Sequence, residues 1–80
     1  MFAMLNMPIK TNNTIREKLR RMGLKIKSAR FTRGVTQQQL EKKIGINPQR
    51  IRAIEKGEAN TGIQTYLKIQ QVLEIDDLFI

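Results

Sequence analysis

Residues 36–57 read TQQQLEKKIGINPQRIRAIEKG and contain the start and stop signals of two short helices. Thr36 suits the N-cap position, because its hydroxyl can accept a hydrogen bond from an unpaired amide of the first turn. Gln39 can bond back to the Thr36 amide, which completes a capping box. Leu40 and Ile44 are four residues apart and share one face. Gly45 suits the left-handed position that ends a helix, so the pattern predicts a first helix that stops there.

A second helix start follows at once. Asn47 is a good N-cap, and Pro48 fits the first helical position, where its missing N–H costs nothing. Gly57 provides the next stop signal. Two helices joined by so tight a turn cross steeply and share one core. The apolar side chains that we expect in this core are Leu40, Ile44, Ile51 and Ile54.

The outer side of the second helix is polar and basic. Arginine and glutamine form bidentate hydrogen bonds with base edges, and lysine binds phosphates. The side chains on this outer side are Gln49, Arg50, Arg52 and Lys56. The stretch therefore predicts a helix-turn-helix whose second helix enters the major groove of DNA.

These residues resemble the lambda-repressor/Cro family of helix-turn-helix domains, also called the XRE family. The resemblance covers roughly residues 22–79, and the complete ordered set is more specific than any single piece. The matching residues are Thr36, Gln37, Leu40, Gly45, Ile51, Ile54, Glu55, Lys56 and Gly57, then the run 63–69, Leu73 and the run 76–79. Glu41 departs from the family, which usually has a small alanine there. A close helix crossing requires the Glu41 stem to lie along the surface with its carboxylate in water.

The resemblance implies roles for individual residues. It implies base contacts by the start of the second helix, at Pro48, Gln49, Arg52 and Ala53. It implies a phosphate contact by Gln37, aided by the positive end of the helix dipole. Thr36, Arg50 and Lys56 are further phosphate candidates. It also implies an ion pair between Arg30 and Glu55, and a guanidinium bidentate to a carboxylate tolerates partial burial. Each of these polar residues has the alternative of a solvated surface position.

The composition of the chain excludes several classes of protein. Among 80 residues there is no cysteine and no histidine, so disulfides, thiolate metal sites and the commonest general base are absent. No glycine-rich phosphate loop occurs, so we expect neither an enzyme nor a cofactor. No apolar run of about 20 residues exists, so we expect no membrane span. The first ten residues lack the basic start of a signal peptide, and we expect a cytoplasmic protein.

The net charge of +8 is distributed unevenly along the chain. Residues 1–35 hold nine Lys or Arg and one Glu. Residues 36–57 hold five Lys or Arg and two Glu, and residues 58–80 hold one Lys and four acidic residues. The basic part thus precedes and includes the helix-turn-helix. A concentrated basic surface indicates a polyanion partner, here double-stranded DNA, although a merely solvated basic helix gives the same count.

The segment before the helix-turn-helix divides in two. Residues 1–13 follow no single apolar period, and we expect a mobile N-terminal arm or a short extended segment, free or packed on a partner chain through Phe2 and Leu5. Thr14 and Glu17 form a capping-box pattern that starts a helix ending near Thr32. Its apolar stripe is Ile15, Leu19, Met22, Ile26 and Ala29. Gly23 interrupts this helix, which is tolerable where another helix approaches closely.

The whole pattern predicts an all-α fold, a compact bundle of about five helices. Residues 14–80 form the helix-turn-helix domain. After a loop, a fourth helix starts near Ile63, and Asp76 can cap a last turn. We expect a dimer interface at the apolar C-terminal end, because a domain this small exposes some of that surface. Its residues are Leu73, Ile75, Leu78, Phe79 and Ile80. The alternative is that Leu73, Ile75 and Leu78 close the core of the monomer.

Three functions fit these features. The leading one is a sequence-specific transcriptional regulator that binds a two-fold-symmetric operator as a homodimer. The second is the antitoxin of a toxin–antitoxin pair, which binds both operator DNA and a toxin; the long first helix and the arm would contact the toxin. The third is a coactivator-like protein-interaction module whose basic face binds nucleic acid without sequence preference.

Overall fold

The computed structural model describes residues 3–58 and 61–79, with side chains from residue 14 onward except Pro48. Four helices account for most of this part of the chain: α1 (Ala3–Thr32), α2 (Gln37–Ile44), α3 (Pro48–Lys56) and α4 (Ile63–Leu73). The described residues contain no strand, and the all-α prediction is confirmed. Four helices are present instead of about five. The predicted last helical turn, residues 77–80 capped by Asp76, is a series of turns over the described residues 76–79.

The start of α1 differs from the prediction. The helix begins at Ala3 and not at Thr14, so the predicted N-cap lies inside a 30-residue helix. Ala, Leu and Met, which occur near this end, are strong helix formers. The prediction relied instead on helical spacing of apolar residues, which residues 1–13 do not show. Phe2 lies outside the described residues, and the division into a mobile arm and a domain stays a prediction. The predicted end at Thr32 is confirmed.

The core is formed by all four helices together with the segment after α4. Ile26 of α1, Leu40 of α2 and Ile54 of α3 are fully buried. The other buried apolar residues are Ile44, Ile51, Tyr66, Ile69, Leu73, Ile75 and Leu78. The helix-turn-helix thus contributes its predicted inner face, Leu40, Ile44, Ile51 and Ile54, to one common core.

Glycine permits the closest contact between α1 and α3. A Cβ atom added at Gly23 would lie 2.5 Å from the carbonyl oxygens of Ile54 and Glu55. A Cβ at Gly57 would lie 2.7 Å from the Cα of Arg20. Backbones this close leave no room for a side chain, which confirms the expectation for Gly23. The crossing fixes the position of α3 on the basic helix α1.

The C-terminal segment folds back onto α1. Glu74 ends α4 with a positive φ of 53°, and the Ile75 amide bonds to the carbonyl of Gln70 at 3.1 Å. Arg33 then donates to the Leu73 carbonyl at 2.7 Å, and Lys25 donates to the Asp77 carbonyl at 2.6 Å. These contacts place Ile75 and Leu78 in the core.

Candidate nucleic-acid interface

The amino end of α2 has the predicted capping box. The Thr36 hydroxyl accepts a hydrogen bond from the Gln39 amide at 3.0 Å, and the Gln39 side chain accepts one from the Thr36 amide at 2.9 Å. The amides of the following positions, Gln37 and Gln38, have no helical carbonyl to bond. They lie at the positive end of the helix dipole, which favours an anion.

The turn between α2 and α3 also forms as predicted. Gly45 has a φ of 73°, and its amide and that of Ile46 both bond to the Glu41 carbonyl. The Asn47 side chain then caps α3 by accepting from the Gln49 amide at 2.9 Å, with Pro48 as the next residue. These local bonds set the direction in which α3 leaves the turn.

The outer side of α3 is exposed to solvent and basic. Gln49, Arg50, Arg52 and Lys56 are all exposed, and Ala53 is half-buried between them and the core. Ile51 and Ile54 are fully buried on the opposite side. The Pro48 side chain lies outside the described part. The predicted contact residues of α3 whose side chains are described are therefore accessible on its outer side, and their contacts with DNA remain predictions.

Glu55 is the acid of α3, and it points inward. Its carboxylate accepts two hydrogen bonds from Arg30, from Nε at 2.7 Å and from Nη2 at 3.1 Å. Arg30 also donates to the Val35 carbonyl at 3.0 Å. Both side chains are less than a tenth exposed. The pair ties α1 to α3 and removes the negative charge from the outer surface of α3.

The side chain of Gln37 joins this buried pair. Its Nε2 donates to the Oε1 of Glu55 at 3.1 Å, which links the start of α2 to α3. The proposed phosphate contact of Gln37 therefore falls to its backbone amide more readily than to its side chain. Thr36 is exposed, and its hydroxyl proton is free to donate, because the capping bond uses the hydroxyl as an acceptor.

Glu41 is buried, in contrast to the surface position expected from the sequence. Only 6% of the residue is exposed, so its stem is covered by its neighbours. No side-chain oxygen of the described residues is buried without a hydrogen-bond partner, so the Glu41 carboxylate keeps contact with water. With Glu55 at 7%, both acids of residues 36–57 are buried. The charged side chains that this segment exposes are all positive: Lys42, Lys43, Arg50, Arg52 and Lys56.

The predicted dimer residues require a correction. Leu73, Ile75 and Leu78 are 1%, 8% and 0% exposed, so they belong to the core of the monomer and are not available to a partner. The physical reason is the reversal at Glu74, which turns the segment back onto α1. Phe79 is exposed and contacts Tyr66 edge to face, with ring centroids 6.5 Å apart. Ile80 lies outside the described residues.

Sequence reasoning did not identify Phe31 as a surface residue. Its ring is 63% exposed and lies beside two cations, with Lys27 Nζ 5.8 Å and Arg30 Cζ 4.7 Å from the centroid. Its position in the sequence indicates this exposure, because Phe31 lies outside the apolar stripe of α1 that ends at Ala29. The ion pairs of Lys25 and Arg33 with the C-terminal segment gave no sequence signal.

Two further features are absent from residues 3–58 and 61–79. This part of the chain has no group of three or more metal-ligating acids that could hold an ion. It also has no helix with the length and apolar content needed to cross a membrane.

Comparison with known proteins identifies the family. A family model described as helix-turn-helix matches residues 26–79. The chain is also 38% identical over 61 residues to an uncharacterised HTH-type transcriptional regulator of Archaeoglobus fulgidus, an alignment that covers 74% of this chain and 87% of the relative. No solved structure matches significantly. The chain therefore belongs to the lambda-repressor/Cro (XRE) type of helix-turn-helix family, whose members are DNA-binding domains of transcriptional regulators.

Proposed function

We propose that this protein is a sequence-specific transcriptional regulator that places α3 in the major groove of a two-fold-symmetric operator as a homodimer. The observation that carries the proposal is the one-sided charge of residues 36–57. Both acids of this segment are buried, and the exposed charges are all positive. Such a surface attracts phosphates along the whole helix-turn-helix and presents little carboxylate of its own to repel them.

Two side chains of α3 are suited to base readout. Arg52 matches the O6 and N7 acceptors of guanine, and Gln49 matches the N6 and N7 groups of adenine. Ala53 is small enough to contact a thymine methyl group. Arg50 and Lys56 flank this surface and bind phosphates. Base contacts supply the specificity, whereas phosphate contacts fix the register of the protein on the duplex.

A dimer is proposed because one nine-residue helix reads only a few base pairs, too few to select a site among about 10⁶ or more in a genome. The remaining exposed apolar surface near the C-terminal end lies on α4. Ile63 is 57% exposed and Leu67 is 44% exposed, and they are one turn apart. Phe79, also 44% exposed, contacts the adjacent Tyr66. We propose that a second copy of the chain covers Ile63, Leu67 and Phe79.

Selection of bound sequences from a random DNA pool tests the proposal. We expect a consensus with two-fold symmetry and half-sites about one helical turn, roughly 34 Å, apart. Sedimentation of the free protein at micromolar concentration tests the dimer separately, with Leu67→Asp expected to give monomers. A selected site without symmetry, bound by a monomer, would contradict the dimer and leave DNA binding intact. Failure to select any consensus would favour the coactivator-like alternative.

The antitoxin alternative has one supporting feature, the length of α1. This helix has 30 residues, and the residues 14–18 are all exposed, so its amino-terminal part offers surface that the core does not use. Co-purification with the product of a neighbouring gene, lost on deletion of residues 1–13, would support a toxin partner. A regulator without that partner would purify alone.

A further inference from the structure

Phe31 is an exposed aromatic ring close to the proposed DNA surface. At 63%, it is the most exposed large apolar side chain of the described residues. Burial of this ring would stabilise the protein, yet most of it stays in contact with solvent. Its neighbours are the cations Lys27 and Arg30. Arg30 is already paired with Glu55, whereas Lys27 is exposed to solvent. A ring beside the Lys27 ammonium and the proposed DNA surface is positioned for a ligand that is both anionic and apolar.

The ring lines an open concavity that connects three helices. The concavity has a volume of about 570 Å³ and joins the carboxyl end of α1 to the amino end of α2 and the outer side of α3. Arg52, the proposed base-reading residue, lines the same concavity, as do Thr36 and Gln37. No acidic side chain lines it. A duplex whose bases meet Arg52 therefore brings one of its strands to Phe31.

The sugar–phosphate backbone has the required chemistry. Each nucleotide offers an anionic phosphate and a deoxyribose whose C–H edges are apolar. The unpaired amides at the start of α2 and the ammonium of Lys27 suit the phosphate. The exposed ring suits the neighbouring sugar. Double-stranded DNA satisfies both at once, whereas a purely apolar protein surface would offer no acceptor to the amides at the start of α2.

We propose that Phe31 packs against a deoxyribose of the DNA strand next to the base pairs read by α3, so that the concavity is a backbone-binding cleft. This inference rests on the proposed function. Because every nucleotide carries the same sugar, the contact strengthens binding to all sequences equally. Because the ring is uncharged, it releases no counterions, so its removal leaves the dependence of affinity on salt unchanged. An equal loss of affinity for all sequences, together with an unchanged salt dependence, distinguishes Phe31 from the proposed base and phosphate contacts.

The first experiment measures affinity and its salt dependence. Phe31→Ala should weaken binding to the selected site and to unrelated DNA by the same factor, about three- to tenfold, with an unchanged slope of log affinity against log salt. The matched control is Leu24→Ala, on the same helix and 58% exposed, but beside Glu74, Asp76 and Asp77. Its affinity should equal that of the unchanged protein. Melting temperatures should agree among all three proteins.

The second experiment places a reporter in the cleft. The chain has no tryptophan, so Phe31→Trp introduces a single indole fluorophore. Its emission should shift to shorter wavelength on addition of duplex DNA, with a midpoint that matches the binding curve. Leu24→Trp should not respond.

Three results would overturn the inference. Normal DNA binding by Phe31→Ala, together with no change in the emission of Phe31→Trp, would remove the contact while the proposed function stands. A changed base preference at one position would assign the ring to a base instead of a sugar. Loss of self-association with unchanged DNA affinity would assign it to a protein interface. If the unchanged protein bound no DNA, the proposed function itself would fail.

Discussion

The buried pair of Arg30 and Glu55 offers a sharp test of how α3 is held. Glu55→Gln keeps the size of the side chain but removes the charge that compensates Arg30. In the native protein Glu55 accepts three hydrogen bonds, two from Arg30 and one from Gln37, and its side chain is 4% exposed. The amide has one acceptor oxygen in place of two, so at least one bond is lost. The guanidinium then remains buried without a counterion.

The expected effect is large for a domain of this size. Removal of one partner of a buried ion pair costs about 3–5 kcal/mol of unfolding free energy, because the other charge stays uncompensated. Since 1 kcal/mol shifts the melting temperature of a small domain by roughly 4–8 °C, Glu55→Gln should melt at least about 12 °C lower. Arg30→Met should lose a similar amount. The double replacement Arg30→Met/Glu55→Leu removes both charges and should recover much of the loss.

Thermal melts followed by far-ultraviolet circular dichroism measure these effects. The matched control is Glu17→Gln, the same chemical change in an exposed pair with Arg21, where both side chains are more than 60% exposed. The control should lose less than about 1 kcal/mol. If Glu55→Gln melted within about 2 °C of the unchanged protein, the argument from burial would be wrong. A double variant less stable than either single variant would contradict the charge argument in particular.

Three further predictions concern individual residues. Gly23→Ala should destabilise the fold by more than about 1 kcal/mol, because the new Cβ would lie 2.5 Å from the carbonyl oxygens of Ile54 and Glu55 in α3. Urea unfolding measures this loss, and an unchanged midpoint would show that α1 and α3 are not in such close contact. Thr36→Ala should cost about 1 kcal/mol and Thr36→Ser much less, since serine keeps the capping hydroxyl; equal losses would exclude the cap as the cause. Burial raises the pKa of Tyr66, so the free energy of unfolding should fall as the pH rises above 10, the ordinary tyrosine value. Tyr66→Phe should reduce this loss of stability in melts between neutral and high pH. Identical pH profiles of the two proteins would contradict the prediction.

Local chemistry explains why the helix-turn-helix could be predicted from the sequence. The caps at Thr36 and Asn47 and the left-handed glycines at 45 and 57 depend on bonds between residues close in the chain. The stripe of α1 from Leu19 to Ala29 and the close approach at Gly23 also follow from spacing, whereas Ile15, predicted to begin the stripe, is 51% exposed. The pairing of Arg30 with Glu55 was implied by the family resemblance and not by any local rule.

The features that escaped prediction depend on tertiary packing. The burial of Leu73, Ile75 and Leu78 follows from the reversal at Glu74, a left-handed position without a glycine or asparagine to announce it. The burial of Glu41 depends on how α2 packs on its neighbours, and a charged residue gives no sign of that. The register of Phe31 indicates its exposure, but its place in one concavity with Arg52 depends on how α1 packs on the helix-turn-helix.

The central claim is that α3 reads bases through Arg52 while Lys56 binds a phosphate, and one binding measurement tests it most directly. Affinities of Arg52→Ala and Lys56→Ala are measured on the selected site and on its single-base variants over a range of salt. Arg52→Ala should lose about 1–3 kcal/mol on the best site and lose its preference at one base pair. Lys56→Ala should weaken binding to all sequences equally and reduce the salt slope by about one. If Arg52→Ala kept both its affinity and its base preference, the assignment of the outer side of α3 as the reading surface would be wrong.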